Sequence, residues 1–242
     1  APEAVRHQLT QTAFTPEAIR MLNREAERQH ATAQVHLKLD TGMNRIGLRD
    51  EREADAVRAA LDDAPHVRAT GIYTHFASAD EPDESGGLNA FSEEQLRRFE
   101  RLRARFDSRI PAHAANSAAA LLAPKVCFSM IREGISLYGY PPVPTALPFR
   151  PALRWAAEIT HVKEIKAGET VGYGRGFTAP RDMRVATVSV GYADGYHRAA
   201  GGRGQMLVCG RRAAIVGRVC MDQTMLDVTD IPEAAAGQDA VL

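Results

Sequence analysis

The first part of the chain alternates short apolar runs with amphipathic segments. Strand-like stretches at 35–40 and 67–76 are followed by segments with helical spacing of apolar residues at 51–64 and 90–108. This alternation is typical of β-α units that build a parallel sheet. Ser92, with glutamates directly after it, is the expected N-cap of the second helix.

The hydrophobic pattern changes after the stretch 141–148, which contains four prolines. Beyond it, alternating apolar positions are separated by Gly-rich turns, and no segment has convincing helical spacing. We therefore expect an α/β region at 1–143 and a mostly antiparallel β domain at 144–242. A closed (β/α)₈ barrel needs about 250 residues, so the α/β region is either a small open sheet or part of a barrel.

Composition narrows the classes of partner. The 30 basic and 30 acidic residues cancel, and no basic run favours nucleic acid or an anionic membrane, so a small molecule is the expected partner. No apolar run approaches the ~20 residues that span a bilayer, and the N-terminus lacks signal-peptide order, which predicts a cytoplasmic protein. Cys127, Cys209 and Cys220 include no CxxC pair, which argues against disulfides and zinc and predicts reduced, buried thiols.

Three residues of the α/β region lie on or just after its predicted strands. Arg45 follows the first strand in a loop, where its planar fork suits a carboxylate, although a surface arginine in a turn explains it as well. Lys38 alternates with apolar residues and is expected to point inward, where a lysine needs a partner or loses its charge. His75 is either an orienting group or a structural histidine.

Further candidates stand at other element ends. Ser117 lies where a helix would begin, so it is a cap or part of a phosphate site. Arg132 is followed by Gly134, whose amide can approach an anion closely. Arg218 and Asp222 interrupt an apolar strand, which an ordinary charged strand edge also explains.

Six motifs in order resemble the alanine racemases, pyridoxal phosphate enzymes of fold type III. They are KLDTGMNRIG, YTHFASAD, HAANSAA, IREGISLYG, VSVGYADGYHR and GRVCMDQTMLDVT, and the resemblance runs from about residue 33 to about 230. It implies a (β/α)₈ barrel followed by a β domain, bound pyridoxal phosphate, and interconversion of L- and D-alanine that supplies D-alanine for peptidoglycan. It also implies a homodimer in which the β domain of one subunit completes the barrel mouth of the other.

The resemblance assigns roles to residues at matching positions. Tyr192 would be the base on one face of the substrate Cα, His75 would hydrogen-bond that tyrosine, and Arg132 would face the pyridine nitrogen of the cofactor. An arginine there only donates, so the nitrogen stays unprotonated and the carbanion spreads less into the ring, which favours return of the proton. The remaining assignments are Arg45 and the Met221 amide for the substrate, Ser117, Gly134 and Ile135 for the phosphate, Lys38 as a carbamylated lysine, and Arg218 in the entry corridor.

One expected residue has no counterpart. The family links its cofactor to a lysine in a motif resembling K-A-D-A-Y-G-H-G, which also supplies the second base. The motif is absent, and none of the lysines, which are Lys38, Lys125, Lys163 and Lys166, fits that role. We therefore expect an internal piece of a racemase that lacks its first barrel strands and the end of its β domain, and that is inactive alone. The alternatives are a serine or broad-specificity racemase of the same family and a non-catalytic module that binds pyridoxal phosphate.

Overall fold

The computed structural model describes residues 1–242 and divides into two compact units, Ala1–Pro151 and Ala152–Leu242. The sequence suggested a boundary between 143 and 144 instead. The segment up to Pro151 belongs with the first unit because the backbone of Arg150 and Pro151 packs on Gly139. An ideal Cβ at Gly139 would lie 1.8 Å from the Arg150 carbonyl oxygen, so only glycine allows this approach.

The first unit is a parallel four-stranded sheet with helices in its connections. Its strands follow one another in space as they do in sequence, β1-β2-β3-β4, as in a barrel and unlike a doubly wound sheet, where the order reverses. The predicted α/β class is confirmed. The strands are β1 Gln11–Ala13, β2 Ala33–Lys38, β3 Val67–Tyr73 and β4 Ala112–His113, and the helices are α1 Pro2–Arg6, α2 Pro16–Arg28, α3 Glu51–Asp62, α4 Ala90–Arg103 and α5 Ser117–Leu122.

The two faces of this sheet differ in polarity. Val35 and Leu37 alternate with polar residues along β2 and are fully buried in the apolar core. Their neighbours His36 and Lys38 point to the other face, since successive strand residues do so. The register between β2 and β3 shifts after Val35, which leaves Thr70 unpaired as a bulge. Polar residues of adjacent strands are therefore aligned in rows on one face.

The rows are defined by strand pairing. Thr12 of β1 pairs with His36 of β2. Lys38 pairs with Tyr73 of β3, which in turn pairs with His113 of β4. Directly paired residues share a face of the sheet, so these five side chains form one polar surface.

The second unit is antiparallel β structure, and its helical turns are all of the 3-10 type. Its six-stranded sheet has the order β10-β9-β12-β5-β8-β11, and β6 and β7 form a separate pair. Inward residues such as Val188 and Leu226 are fully buried. The predicted β domain is thus confirmed. Its strands are β5 Ala156–Ile165, β6 Thr170–Val171, β7 Phe177–Thr178, β8 Met183–Val188, β9 Gln205–Val208, β10 Arg211–Ala214, β11 Thr224–Asp227 and β12 Asp239–Val241.

Two local predictions were wrong. The cap of α4 is Asn89, whose side chain accepts from the Ser92 N–H, and Ser92 lies inside the helix. Asn89 takes this position because its Nδ2 also donates to the carbonyl oxygens of Ser78 and Glu81, which fixes the preceding loop. The cysteines are unpaired, but Cys209 is exposed and the other two are half-buried. No helix is both long and apolar enough to cross a bilayer.

Candidate active site

Arg132 is the centre of a hydrogen-bonded group at the carboxyl ends of the parallel strands. Its Nη1 donates to Nδ1 of His113 at 2.7 Å. The two hydrogens of its Nη2 serve three acceptors, so one hydrogen is shared: the Thr74 carbonyl at 2.8 Å, the Ala114 carbonyl at 3.1 Å and Nδ1 of His75 at 3.3 Å. These bonds fix the plane of the guanidinium. No acceptor within the chain contacts its Nε–H or the second hydrogen of its Nη1, so two donors remain for a ligand.

The direction of these bonds sets the protonation of the histidines. A guanidinium only donates, so Nδ1 of His113 must accept and its proton must be on Nε2. That Nε2 lies 3.0 Å from Nδ1 of His36, which accepts in turn. By the same reasoning, His75 is protonated on Nε2.

Burial and the Arg132 charge keep these rings neutral. Burial first, and then the nearby guanidinium, lower the pKa of His113 to about 3 and the pKa of His75 to about 4. The same two causes lower the pKa of His36. Arg132, in contrast, keeps its charge, because a guanidinium does not lose its proton in proteins. The site therefore presents one fixed cation among neutral imidazoles.

Tyr73 and Lys38 complete the polar face. The Tyr73 ring stacks on His113 with centroids 4.8 Å apart and planes 5° apart, and its Oη lies 2.9 Å from Oγ1 of Thr12. Lys38 is only 2% exposed, and its Nζ lies 5.4 Å from the Tyr73 ring centroid and donates to the Leu39 carbonyl. Burial lowers the pKa of Lys38 to about 8, which Asp40 opposes and Arg132 and Arg45 reinforce.

The predicted phosphate residues lie together. Oγ of the buried Ser117 accepts from the Gly134 N–H at 2.8 Å. The Ile135 N–H, next in the chain, has no partner within the chain. A hydroxyl and adjacent amides at a helix start form a donor set that suits a phosphate. Arg45, His75 and Arg132 line one cleft of about 460 Å³.

In the second unit, Tyr192 and Met221 lie in two turns that hydrogen-bond to each other. The Tyr192 N–H donates to the Cys220 carbonyl at 3.0 Å, and the Ala193 N–H donates to the Met221 carbonyl at 2.9 Å. Gly191 permits this approach, because a Cβ there would lie 2.2 Å from the Met221 oxygen. The Met221 N–H itself has no partner within the chain. It remains available to a ligand carboxylate.

The sequence reasoning overlooked Tyr173. This residue begins a 3-10 turn between Gly172 at φ 79° and Gly174 at φ 71°, and its side chain is 70% exposed. It lines a cleft of about 430 Å³ with Cys220 and Gln223. Tyr192 is less exposed, at 41%, and the Arg198 guanidinium lies 5.7 Å from its ring centroid. Glycines on both sides of Tyr173, in VGYGRG, were the available signal.

His36, His113 and Tyr73 also received no role from the sequence. The alternation that placed Lys38 on the inner face could have identified His36, because the two residues are two positions apart in the same strand. The Cβ of any other residue at Gly71 would lie 2.6 Å from the His36 ring, so this imidazole fits only beside a glycine.

The fold and site define a class of protein: two-domain proteins in which a barrel-type parallel sheet, with an arginine-centred polar group at its strand ends, precedes an antiparallel β domain. The model of the alanine racemase N-terminal domain matches residues 1–142, and that of the C-terminal domain matches residues 152–242. The chain belongs to the alanine racemase family.

Individual relatives agree with this assignment. An alanine racemase of Halothermothrix orenii is 39% identical over 98% of this chain and 63% of the relative. The solved alanine racemase of Clostridium difficile 630 aligns with a TM-score of 0.90 at 29% identity, over 100% of this chain and 63% of that one. The alanine racemase of Bartonella henselae, solved with covalently bound pyridoxal phosphate, has a TM-score of 0.86 at 25% identity, over 99% of this chain and 66% of that one. The chain thus spans less than two thirds of the length of these relatives.

Proposed function

We propose that this chain is part of a pyridoxal-phosphate-dependent alanine racemase and contributes its cofactor pocket and one of its two bases. The observation that carries the proposal is the fixed Arg132 guanidinium, which lies among neutral histidines and two residues before Gly134, whose N–H donates to the Ser117 hydroxyl. Bound pyridoxal phosphate would withdraw electrons from the substrate Cα and so make its C–H bond more acidic.

The donor set fits this cofactor. The Ser117 hydroxyl and the Ile135 N–H would hold the phosphate, together with the Gly134 N–H once it exchanges its bond to Ser117 Oγ for one to the ligand. The unpaired Nε–H of Arg132 would donate to the pyridine nitrogen. Because Arg132 cannot accept a proton or give one up, it would leave that nitrogen unprotonated. In the proposed homodimer, the substrate carboxylate would bind Arg45 of one subunit and the Met221 N–H of the other. A homodimer with shared sites is part of the proposal, and the cytoplasmic location stays a prediction.

A tyrosine would transfer the proton on one face of the substrate. Tyr192 is the candidate from the sequence, and Tyr173 is the second candidate, favoured by its greater exposure and its cleft. An ordinary phenol has a pKa of ~10, so it needs a neighbour that tunes it. We propose that His75, whose Nδ1 is held by Arg132, donates from Nε2 to the phenol oxygen that the partner subunit contributes. The opposing lysine has no matching motif within these 242 residues.

Lys38 is proposed as a carbamylated residue. Only the neutral amine attacks carbon dioxide, and a pKa of about 8 makes this form abundant in mildly basic solution. The product would be an anion beside Arg45 and Arg132. With ¹³C-labelled bicarbonate, a carbamate carbon signal should appear that is absent from Lys38→Met and retained in Lys163→Met, where the lysine is exposed. Equal signals from both variants would refute the assignment.

The decisive experiment follows the Cα hydrogen of alanine. The chain is joined to the segment of the Halothermothrix orenii racemase that it does not cover, and exchange of L- and D-alanine is measured in deuterated water. Racemisation with pyridoxal phosphate supports the proposal, whereas cofactor binding without exchange supports the non-catalytic module. Faster exchange of serine than of alanine supports the serine or broad-specificity alternative.

The tyrosine base is identified with matched variants of the same fusion. Tyr173→Phe or Tyr192→Phe should slow abstraction from one enantiomer by at least about 100-fold, since general-base catalysis contributes about that much. The other variant should change both directions by similar, small factors. If neither variant produces an asymmetric loss, neither tyrosine is the base.

A further inference from the structure

Gln95, on helix α4, has a fully buried side-chain amide whose partners all belong to the loops at the strand ends. Its Oε1 accepts from the Ala77 N–H at 2.9 Å. Its Nε2 donates to the His75 carbonyl at 3.1 Å and to Oγ1 of Thr41 at 3.3 Å. Both amide protons and the amide oxygen are therefore used, which is the arrangement that a buried glutamine requires.

These partners place Gln95 around His75. The amide holds the backbone on the carboxyl side of the histidine at two points, the His75 carbonyl and the Ala77 N–H. On the amino side, the Thr74 hydroxyl bonds the Thr41 hydroxyl at 2.7 Å, and the Thr74 carbonyl accepts from Arg132. No helix or strand includes residues 74–77, and the bond from the Thr74 N–H to the His113 carbonyl, at 3.3 Å, is the last ladder bond before these side-chain bonds hold the loop.

We infer that Gln95 is a positioning residue that fixes the loop after β3, so that the His75 ring presents Nδ1 to Arg132 and keeps its Nε2–H free to donate. The role of that N–H in proton transfer rests on the proposed function. The orientation itself concerns this chain alone and can be tested without cofactor or substrate. Gln95 also links His75 to Thr41, in the loop that leads to Arg45, so one side chain coordinates two strand ends.

Ser92 offers a control within the same helix. It is as fully buried as Gln95 and lies about one turn earlier, but its Oγ has no hydrogen-bond partner. Burial of a polar side chain in α4 is thus not sufficient to hold the loop. Ser92→Ala should leave the His75 ring unchanged.

The test is ¹⁵N NMR of the histidine rings in the full chain without ligands. In the wild type, His75 should be a single Nε2–H tautomer that stays neutral well below ~6.5, the ordinary pKa of histidine. Gln95→Met removes all three hydrogen bonds and keeps a side chain of similar length. His75 should then show mixed tautomers and a pKa closer to ~6.5. Gln95→Glu, protonated in this buried position, keeps one donor and one acceptor and should restore the single tautomer.

A second control, beside Ser92→Ala, makes the outcome decisive. Val57→Ala removes packing from α3, where the residue is fully buried, and should lower global stability without changing the His75 tautomer. The inference is overturned if His75 is unchanged in folded Gln95→Met, or if Val57→Ala changes it equally. If Gln95→Met does not fold, Gln95→Glu tests the inference. Loss of the single His75 tautomer in that variant would contradict the inference, which expects one donor and one acceptor to hold the ring.

Activity then separates this inference from the proposed function. In the fused racemase, Gln95→Met should lower kcat for alanine about tenfold or more with KM nearly unchanged, because misplaced catalytic groups slow chemistry more than they weaken binding. A changed His75 tautomer with unchanged kcat would uphold the positioning by Gln95 and refute the proposed role of His75.

Discussion

The parallel sheet of the first unit carries its candidate chemistry on the strands and just beyond their ends, whereas the antiparallel sheet of the second carries it on turns. In the first unit, His36, Lys38 and Tyr73 are strand residues, and side-chain hydrogen bonds and stacking hold the polar face together. In the second, Tyr173 and Tyr192 begin 3-10 turns, and the alternating strand residues fill an apolar core.

This difference shows two ways to orient a functional side chain. A polar face on strands must satisfy every buried donor and acceptor, so each ring is fixed by its neighbours and the network fails when one member is removed. A side chain on a turn is oriented by the backbone, so its placement depends on whether two main chains can approach closely. The first site should thus be sensitive to lost hydrogen bonds and the second to added volume.

The largest effect is expected from added volume in the second unit. Gly191→Ala would place Cβ within 2.4 Å of backbone atoms of Cys220 and Met221, which cannot move as a side-chain end can. The free energy of unfolding should fall by about 3 kcal/mol. Urea unfolding followed by the fluorescence of Trp155, the single tryptophan, reports on this unit.

The control is a glycine with room for a methyl group. At Gly176, φ is −68° and the nearest atoms to a Cβ are 3.5 Å away, an ordinary contact. Gly176→Ala should change stability by no more than about 0.5 kcal/mol. Equal losses in the two variants would contradict the steric explanation.

A smaller effect is expected from a lost acceptor in the first unit. His113→Leu removes the partner of Nη1 of Arg132 and leaves a half-buried charged donor unpaired, at a cost of about 2 kcal/mol. Far-UV circular dichroism is the appropriate measurement, because every α-helix lies in this unit. His7→Leu removes an exposed histidine that also has a partner, Glu3, and should cost much less. A similar cost for both would refute the network.

The smallest effect, counted per histidine and per pH unit, is a pH dependence of the stability of the first unit. His75 and His113 have folded pKa values of about 4 and about 3, below the ~6.5 of an unfolded histidine. Above ~6.5 they are neutral in both states and contribute no pH dependence. As the pH falls below that value, the unfolded chain binds protons that the folded chain does not, so stability falls by up to about 1.4 kcal/mol per pH unit for each histidine.

The His113→Leu variant tests this dependence. Between about pH 6 and 5, the free energy of unfolding of the variant, measured by circular dichroism, should fall less steeply with decreasing pH than that of the wild type. The difference between the two slopes should correspond to close to one bound proton. An unchanged slope would mean that His113 titrates normally in the folded chain.

The sequence was sufficient to predict the main elements and to place candidate site residues at their ends. Apolar periodicity located β2, β3, α3 and α4, because their burial follows the repeat of the backbone. His75, Ser117 and Arg132 were singled out because they stand at element ends, where motifs after successive parallel strands converge, and the roles that the resemblance implies for them stay predictions. The cap of α4 was misplaced because both Asn89 and Ser92 are good capping residues, and the loop contacts of Asn89 decide between them.

Other features depend on geometry that the sequence does not mark. The partnership of His36 with His113 requires the register shift at Thr70, which pairs His36 with Gly71. The exposure of Tyr173 depends on the positive φ of two adjacent glycines. Both arise from long-range fit between backbones, which local propensity cannot encode.

The clearance at Gly71 also restricts how this sequence can change. Any side chain at position 71 would meet the His36 ring, so a replacement there is tolerated only together with a smaller residue at position 36. That smaller residue would remove the acceptor of His113 and free its ring to turn away from Arg132. The two positions are therefore constrained as a pair. A single substitution at either one weakens the hydrogen bonds that hold the Arg132 guanidinium before a second substitution can compensate.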